Sequence, residues 1–385
     1  MSSVCTDFYY LCKLIFISDM NKILSAISYI VIAAAAISCA KTESIGPNDA
    51  YQRYFEAWMQ LNHPEASPSG LGIYIIEDKP GNGPEVKGEG HIFVDYRITD
   101  LEGNISSYTD VRTAKQLGEY NITSYYGPKF WTTTETTLPA GLREAVVGTA
   151  VGTSRKVIIP SWLMSYKAYD SEEDYLDPPL KKDEEYDASS FSNTIYEFTI
   201  KDYTEDIDQW QIDSIGRFFS NKDIKIDGRP AYETFITDAG AHMTAADSVS
   251  TGFYYKQLRA PKDTAKFASD TTIYINYVGK LTNGLVFDTN IERVAKDNNL
   301  YSSSKTYEPM LINWGEKYED LTMTSSKSSM ISGFAMTLWQ MRAMEKGVGV
   351  FYSNYGYGNS GSGSSIPGYA PLIFEIELVA KPEKE

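Results

Sequence analysis

The sequence predicts an α+β protein with two tandem domains of the same kind. Its 385 residues exceed the length that one hydrophobic core usually supports. Runs with the apolar pattern of β-strands alternate with short helix-compatible segments, and this order occurs twice. Hydrophobic residues make up 42% of the chain and charged residues 22%, so the chain is globular rather than disordered.

The first residues concern targeting rather than fold. From Met20 the chain reads MNKILSAISYIVIAAAAISCAK, with an early lysine, an apolar run at 23–37 and then Cys39. This order is typical of a secretory signal, and it resembles a bacterial lipoprotein signal, in which the cysteine becomes the lipid-bearing first residue. A transmembrane anchor is the alternative, but the run is shorter than the ~20 residues that a spanning helix needs. Met1 and Met20 both remain as start sites, and the aspartates before Met20 favour the second.

The cysteine content agrees with a lipid anchor. The sequence has three cysteines, Cys5, Cys12 and Cys39, so a chain that begins at Cys39 has no second thiol. This excludes a disulfide framework, a cysteine-based metal site and a thiol catalyst. We expect Cys39 to be lipidated and to attach the protein to the membrane of a bacterial cell envelope. Ala40 follows in place of an aspartate, which favours the outer membrane, on its periplasmic or surface face.

Several other functions are disfavoured by charge and spacing. The net charge of −16 argues against nucleic acid as a partner. His63, His91 and His242 lie far apart without the paired spacing of a metal hydrolase, and the acidic stretch 169–187 lacks the residue order of a calcium loop. We therefore expect no metal and no cofactor. The sequence specifies no oligomeric state.

Two further kinds of site lack the local sequence that would support them. The segment 356–361 matches G-x-G-x-x-G, but no helix opens at the third glycine, as a dinucleotide site requires. A Ser/His/Asp triad stays open as a spatial arrangement, although the sequence contains no nucleophile elbow.

An amphipathic helix is predicted after the polar tether that follows Cys39. In AYQRYFEAWMQLNHP, four apolar residues recur at helical spacing: Tyr51, Phe55, Trp58 and Leu61. Asp49 is the expected N-cap. We expect this helix to pack within the chain rather than to bind a partner.

A long internal repeat indicates a duplicated domain. The strand-like segment that begins GIYIIEDKPG at Gly72 returns as GFYYKQLRAP at Gly252, 180 positions later, and Tyr96 and Tyr277 are 181 positions apart. A period of this length indicates two domains rather than a solenoid.

The predicted segments follow from these boundaries. Residues 1–38 are upstream residues and signal peptide, 39–69 tether and helix, 70–203 the first unit, 204–248 a helical linker and 249–385 the second unit.

Four motifs of the second unit occur in the order and spacing of a known family. They are INYVGKLTNGLVFDTN (275–290), MISGF (330–334), MEKGVGVFYSNYGYG (344–358) and IPGYAPLIFEIELV (366–379). They resemble the V-x-Y-x-G-x-L-x-D-G-x-x-F-D-S, V-I-x-G-W, G-E-K-x-x-x-x-I-P-x-x-x-A-Y-G and I-P-P-x-A-x-L-x-F-x-V-E-L segments of FKBP-type peptidyl-prolyl isomerases. The resemblance implies two tandem FKBP-like domains, each a twisted antiparallel sheet wrapped around a short helix.

The resemblance also implies an apolar pocket for a proline ring. Carried over by position, the catalytic residues are Tyr277, Phe287, Asp288, Ile331, Phe334, Tyr357 and Phe374, and the substrate-binding residues are Met310, Met330 and Ile366. The Ile331 N–H and the Tyr357 hydroxyl are expected to hold substrate carbonyls, and Asp288 to orient a neighbouring hydroxyl or polarise the amide. The Gly/Ser run 358–365, which we call the flap, is expected to move over the pocket.

Both units depart from the family pattern. Phe334 replaces a tryptophan at the pocket base and Met330 a valine, and both changes keep the wall apolar. In the first unit, Tyr108-Thr109 is expected at the position of the family's Phe-Asp pair and Leu142 at the position of its tryptophan. Pro139 falls near the family's isoleucine, whose N–H is expected to hold a substrate carbonyl. Proline has no N–H to donate. We therefore expect the first unit to be a divergent, inactive copy.

The expected function is peptidyl-prolyl cis-trans isomerisation of secreted or envelope proteins, with proline-containing polypeptides as partners. Rotation about the X–Pro bond faces a barrier of ~20 kcal/mol, and no nucleophile, metal or general base is needed to lower it. An apolar pocket favours the twisted amide by removing the water that stabilises the planar one. The alternative is a non-catalytic peptide-binding or chaperone-like lipoprotein on the same scaffold. A pocket filled by residues 316–329 or by Met330 would favour this alternative.

Overall fold

A computed structural model of the chain describes residues 47–164 and 192–382. Its helices are α1 (Pro47–Asn62), α2 (Val111–Leu117), α3 (Ala140–Val146), α4 (Ile207–Phe219), α5 (Ala231–Thr234), α6 (Glu292–Asp297) and α7 (Ser332–Gln340). Its strands are β1 (Tyr74–Lys79), β2 (His91–Thr99), β3 (Ile105–Tyr108), β4 (Lys129–Thr132), β5 (Ser154–Ile159), β6 (Thr194–Thr204), β7 (Lys225–Ile226), β8 (Arg229–Pro230), β9 (Phe253–Arg259), β10 (Thr272–Leu281), β11 (Val286–Thr289), β12 (Met310–Asn313), β13 (Thr322–Met323), β14 (Lys346–Phe351) and β15 (Leu372–Val379). The predicted signal, Cys39 and the acidic stretch 169–187 lie outside the described residues.

The two units contain sheets of the same strand order. The first sheet runs β1-β5-β6-β2-β3 with β4 also paired to β2, and the second runs β9-β14-β15-β10 with β11 and β12 both paired to β10. The pairs in both sheets are antiparallel. Strands β1 to β6 thus correspond in order to β9, β10, β11, β12, β14 and β15. This repetition confirms the predicted α+β fold with tandem domains.

Each sheet packs one short helix against its inner face. In the first unit Leu142 and Val146 of α3 lie in a core with Ile159 and Phe198 of the sheet. In the second unit the matching helix, α7, enters a core that is rich in aromatic side chains. The longer connection after β12, at 314–329, adds β13 to the edge of the second sheet.

Helix α1 packs on the first unit, as predicted, through Phe55 and Met59, which are buried with Leu101 on the unit. Two details of the prediction are wrong. The helix begins at Pro47, so Asp49 lies in its first turn and is not the N-cap. Leu61 is 83% exposed, because the buried stripe passes through Met59 instead.

The segment between the units forms a second layer on the outer face of the second sheet. Phe218 and Phe219 of α4 pack there with Val348 and Val350 of β14. The hairpin β7–β8 extends this layer, where the N–H of Asp227 donates to Oε2 of Glu375 at 3.0 Å. The second sheet is therefore covered on both faces.

Over 47–164 and 192–382, no helix has both the length and the apolar character needed to cross a membrane.

Candidate active site

An aromatic cluster forms the floor of the predicted site in the second unit. Phe374 of β15 lies at its centre, with ring centroids 4.9 Å from Phe334, 5.6 Å from Phe287 and 6.3 Å from Tyr277. Phe334 meets both Phe374 and Tyr277 edge-on, and its side chain is buried at the start of α7. Four predicted residues from β10, β11, β15 and α7 therefore share one apolar floor.

Tyr277 links this floor to a charged pair. Its hydroxyl donates to Oδ2 of Asp288 at 2.7 Å, and Nζ of Lys305 lies 2.6 Å from Oδ1 of the same carboxylate. Burial raises the pKa of the Tyr277 hydroxyl far above its ordinary value, and the charge and hydrogen bond of Asp288 raise it further. Tyr277 is consequently a neutral donor that orients the carboxylate.

The backbone of Tyr277 is fixed by the end of β11. Its N–H donates to Oδ1 of Asn290 at 2.8 Å, and its carbonyl accepts from Oγ1 of Thr289 at 2.6 Å. The amide of Asn290 also donates to the carbonyls of Ile275 and Glu308 at 2.9 and 3.0 Å. These bonds hold β10, β11 and the segment before β12 in one arrangement around the site.

Helix α7 presents a backbone donor at the edge of the floor. Ile331 is its N-cap, with φ −59° and ψ 141°. The N–H of Ile331 meets no acceptor among the described residues, so it is available to donate a hydrogen bond to a substrate carbonyl. Gly333 lets the helix start this close to the sheet, because a Cβ there would lie 2.4 Å from the ring of Phe351.

A glycine on β10 makes room for the aromatic walls. A Cβ on Gly279 would lie 2.6 Å from Cε2 of Phe287 and 3.0 Å from Cε1 of Phe374. The two rings therefore lie directly over the backbone of β10, and any side chain at position 279 would displace them.

The remaining predicted residues line the edge of the cluster. Ile366 is buried in it, and Met310 and Met330 pack against it as half-buried side chains. Tyr357 is 37% exposed and lies close enough to Asp288 and Tyr277 to interact with them electrostatically. Burial raises the pKa of its hydroxyl and the charge of Asp288 raises it further, so Tyr357 is also a neutral donor. The structure thus brings together the ten predicted pocket residues of the second unit.

The register of the first sheet corrects one part of the sequence comparison. The N–H of Tyr96 donates to Oγ1 of Thr109 at 3.0 Å, as that of Tyr277 does to Asn290. Thr109 therefore matches Asn290, and the Phe-Asp pair is matched by Ser106-Ser107, not by Tyr108-Thr109. The comparison was wrong by two residues because the aromatic residue of β3, Tyr108, lies two positions after the place of Phe287.

The same register shows how the first unit differs in chemistry. Ile98 takes the place of Gly279, since Ile98 pairs with Ser107 and Tyr196 as Gly279 pairs with Asp288 and Phe374. Pro139 is the N-cap of α3 with φ −53° and ψ 145°, the place and the conformation that Ile331 has on α7. The first unit consequently lacks the carboxylate, the N–H donor and the glycine at these positions.

A cleft nevertheless remains in the first unit. Its cavity of about 390 Å³ is lined by Ile98, Trp131, Leu138, Pro139, Leu142 and Tyr196, among others. These residues come from the same strands and helix as the walls of the second site. The first unit thus keeps a cleft on this face, with Thr137, Ser192 and Thr194 also in its lining, but without the carboxylate and the N–H donor of the second site.

Three residues of the second site were not identified from the sequence: Gly279, Asn290 and Lys305. Gly279 stands at the glycine of the V-x-Y-x-G pattern, and that match could have identified it. Nothing local marks Lys305, which lies 17 positions from Asp288.

Comparison with known proteins identifies the second unit. The family model of FKBP-type peptidyl-prolyl cis-trans isomerases matches residues 263–379. FK506-binding protein 1A of Aspergillus fumigatus is 30% identical over 125 residues, which are 32% of this chain and 90% of that protein. Peptidyl-prolyl cis-trans isomerase FKBP15-2 of Arabidopsis thaliana is 33% identical over 113 residues, which are 29% of this chain and 55% of that protein.

Other similarities are partial. A probable FKBP-type peptidyl-prolyl cis-trans isomerase of Haemophilus influenzae is 30% identical over 133 residues, 34% of this chain and 44% of that protein. The chain thus spans about half the length of the Arabidopsis and Haemophilus relatives. The solved structure of the three FKBP domains of wheat FKBP73 is 14% identical with a TM-score of 0.25, over 80% of this chain and 94% of that one. The matching family model and the near-complete coverage of the Aspergillus relative show that this chain belongs to the FKBP-type peptidyl-prolyl cis-trans isomerase family.

Proposed function

We propose that the second unit catalyses cis-trans isomerisation of X–Pro bonds in proline-containing polypeptides. The observation that carries this proposal is the convergence of four aromatic rings, the Tyr277–Asp288 hydrogen bond and the N–H of Ile331, unbonded within 47–164 and 192–382, on one apolar floor. Membership in the isomerase family supports the same reaction.

The geometry suits a reaction that needs no covalent chemistry. The aromatic floor accepts the proline ring and excludes water from the planar amide, which is the more polar state. The N–H of Ile331 and the neutral hydroxyl of Tyr357 bind carbonyls on either side of the bond and hold the chain while the amide twists. Asp288, oriented by Tyr277 and Lys305, fixes the polar edge of the floor.

The test uses the chain from residue 40 onward, which contains both units. NMR exchange spectroscopy measures the rate of cis-trans exchange in a short peptide with one X–Pro bond. Acceleration that is lost in Phe334→Ala, but kept when Leu142 in the first unit is changed to Ala, supports the proposal. Absence of any acceleration by the unaltered protein rejects it. The whole chain is required because α4 and the hairpin β7–β8 cover the second sheet.

The first unit has a second candidate function, namely the binding of polypeptide without catalysis. Its cleft of about 390 Å³ is lined by apolar and hydroxyl side chains, while Pro139 and Ser107 replace the N–H donor and the carboxylate of the second site. Titration with the same peptide is expected to shift the indole N–H signal of Trp131 while Leu142→Ala leaves the exchange rate unchanged. An unshifted Trp131 signal at saturating peptide rejects this role.

The proposal also covers the location of the protein. A lipid on Cys39 attaches this chain to a bacterial outer membrane, and its substrates are secreted or envelope proteins. The support is the sequence of residues 20–39, with its lysine, apolar run and terminal cysteine. Labelling with radioactive palmitate is expected to mark the protein and to fail with Cys39→Ser. Equal labelling of both proteins rejects the anchor.

A further inference from the structure

The flap of the second unit has a defined shape of its own. Ser362 and Ile366 exchange two backbone hydrogen bonds of 2.8 and 3.1 Å, and the N–H of Tyr369 donates to the carbonyl of Gly358 at 2.8 Å. Gly361 lies so close to the returning chain that a Cβ there would be 2.1 Å from the carbonyl oxygen of Ile366. The Gly/Ser run is therefore a compact loop that ends at a pocket residue, not an open tether.

The first unit binds the tip of this loop. The N–H of Tyr125 donates to the carbonyl of Ser364 at 2.8 Å, and Oγ of Ser124 donates to Oγ of Ser364 at 3.0 Å. The ring of Tyr125 packs against the aromatic core of the second unit, the cluster that contains Ile366. Its hydroxyl donates to the carbonyl of Pro128 at 2.9 Å, which fixes the ring from its own side.

The first-unit loop that makes this contact has a counterpart in the second unit, where the corresponding residue makes a different contact. Both loops stack two tyrosines: Tyr120 on Tyr126 in the first unit, and Tyr301 on Tyr307, 181 positions later. At the same offset, Ser124 matches Lys305. Lys305 binds Asp288 within its own unit, whereas Ser124 reaches across to the flap of the other unit.

A second contact holds the chain just beyond the flap. The hydroxyl of Tyr369 lies 3.2 Å from Nε2 of His91, and its ring meets His91 and Phe130 edge-on at centroid distances of 5.1 and 5.6 Å. Phe130 is supported in turn by Trp210 of α4 at 4.8 Å. Ile366 therefore lies between two points, Ser364 and Tyr369, that the first unit holds.

We propose that the first unit positions the flap over the site of the second unit, with Ser124, Tyr125, His91 and Phe130 as positioning residues. This inference rests on the proposed function of the second site. A loop already held in place loses less conformational freedom when a polypeptide binds beneath it, so its anchoring lowers the cost of binding. Release of the flap should weaken substrate binding and leave the bond rotation itself almost unchanged.

The first arm of the test measures hydrogen exchange of backbone amides in the whole chain without substrate. Tyr125→Ala, which removes the packing ring, is expected to speed exchange of the hydrogen-bonded amides of Ser362 and Ile366 by about tenfold. Tyr369→Phe, which removes only the hydroxyl bonded to His91, should have a smaller effect in the same direction. Ile122→Ala changes a 52% exposed side chain on the same first-unit loop and is the matched control that should change nothing. Unchanged exchange in both Tyr125→Ala and Tyr369→Phe overturns the proposal, whatever the activity.

The second arm compares steady-state kinetics on an X–Pro peptide. We expect KM to rise about three- to tenfold in Tyr125→Ala while kcat falls less than about twofold, because only the ordering of the loop has changed. Faster flap exchange with an unchanged KM overturns the coupling of the two units. An inactive unaltered protein would reject the proposed isomerase function instead, and peptide affinity measured by NMR would then replace KM in deciding the role of the flap.

Discussion

The hydroxyl of Tyr277 donates a 2.7 Å hydrogen bond to one carboxylate oxygen of Asp288, and Nζ of Lys305 donates to the other oxygen at 2.6 Å. This arrangement joins the apolar floor of the second unit to the only part of it that carries charge among the residues we place in the site. The apolar floor and the charged pair are linked by this one hydrogen bond. Removal of a single atom, the hydroxyl oxygen of Tyr277, would break it.

Tyr277→Phe is expected to reduce kcat/KM of X–Pro isomerisation about tenfold and to lower the free energy of unfolding by about 1–2 kcal/mol. The reason is that a hydrogen bond to a charged group is lost while the carboxylate stays partly buried. Exchange spectroscopy and urea unfolding measure the two quantities. Tyr274→Phe, on the same strand, is the control and should leave both unchanged.

In the unaltered protein, activity should not fall as pH rises to about 10, since the pKa of Tyr277 is raised above the ordinary tyrosine value.

Ile331→Pro is expected to abolish most activity without unfolding the second unit. The φ of −59° at Ile331 suits proline, and Pro139 already occupies the equivalent N-cap of the first unit. The change removes the N–H donor, so kcat/KM should fall at least about tenfold. Ile331→Ala keeps the N–H and should retain more activity than Ile331→Pro. The reverse order of these two variants would contradict the role of the N–H.

Gly279→Ala tests the close contact of two aromatic rings with β10. The new Cβ would lie 2.6 Å from Phe287 and 3.0 Å from Phe374, so both rings must move. We expect a loss of about 1–3 kcal/mol in the free energy of unfolding, together with lower activity. Gly216→Ala is the matched control, because its Cβ on α4 would meet nothing within 4 Å. That substitution should stabilise the protein by about 0.5–1 kcal/mol, and equal effects of the two changes would contradict the packing argument.

His91 should make stability depend on pH. Burial lowers its pKa from the ordinary value, an effect that the charge of Asp208 opposes, and its Nδ1 is buried without a hydrogen-bond partner among the described residues. The unfolded chain therefore binds a proton at a higher pH than the folded one does. Stability should be full above about pH 6.5 and fall as pH drops through the lowered folded pKa.

Urea unfolding of the unaltered protein and of His91→Gln across pH 5–8 measures this effect. The variant should lose the part of the acid destabilisation that is due to His91, and His63→Gln, near the end of α1, should not. The same acid slope in His91→Gln and in the unaltered protein would contradict the assignment.

Much of the pocket could be predicted because its residues lie within short, ordered motifs. Tyr277, Phe287 and Asp288 belong to one hairpin, and Ile331 and Phe334 to one helical turn, so local spacing places each set. The register of β3 was mispredicted, although the 181-residue spacing of Tyr96 and Tyr277 also places Phe287-Asp288 opposite Ser106-Ser107. Ser106-Ser107 carries no apolar signal, so motif matching selected the nearby aromatic Tyr108, and the ladder between β2 and β3 corrects this choice.

The sequence by itself determined the duplication, the α+β fold class and the aromatic side chains of the second site. Periodicity and motif order are local properties, and they survive in the linear chain. Only the tertiary structure decided that the first unit holds the flap, since Ser124 and Ser364 are 240 positions apart and His91 and Tyr369 are 278 apart. Such contacts arise from how two folded sheets and α4 pack together, and no local pattern encodes that packing.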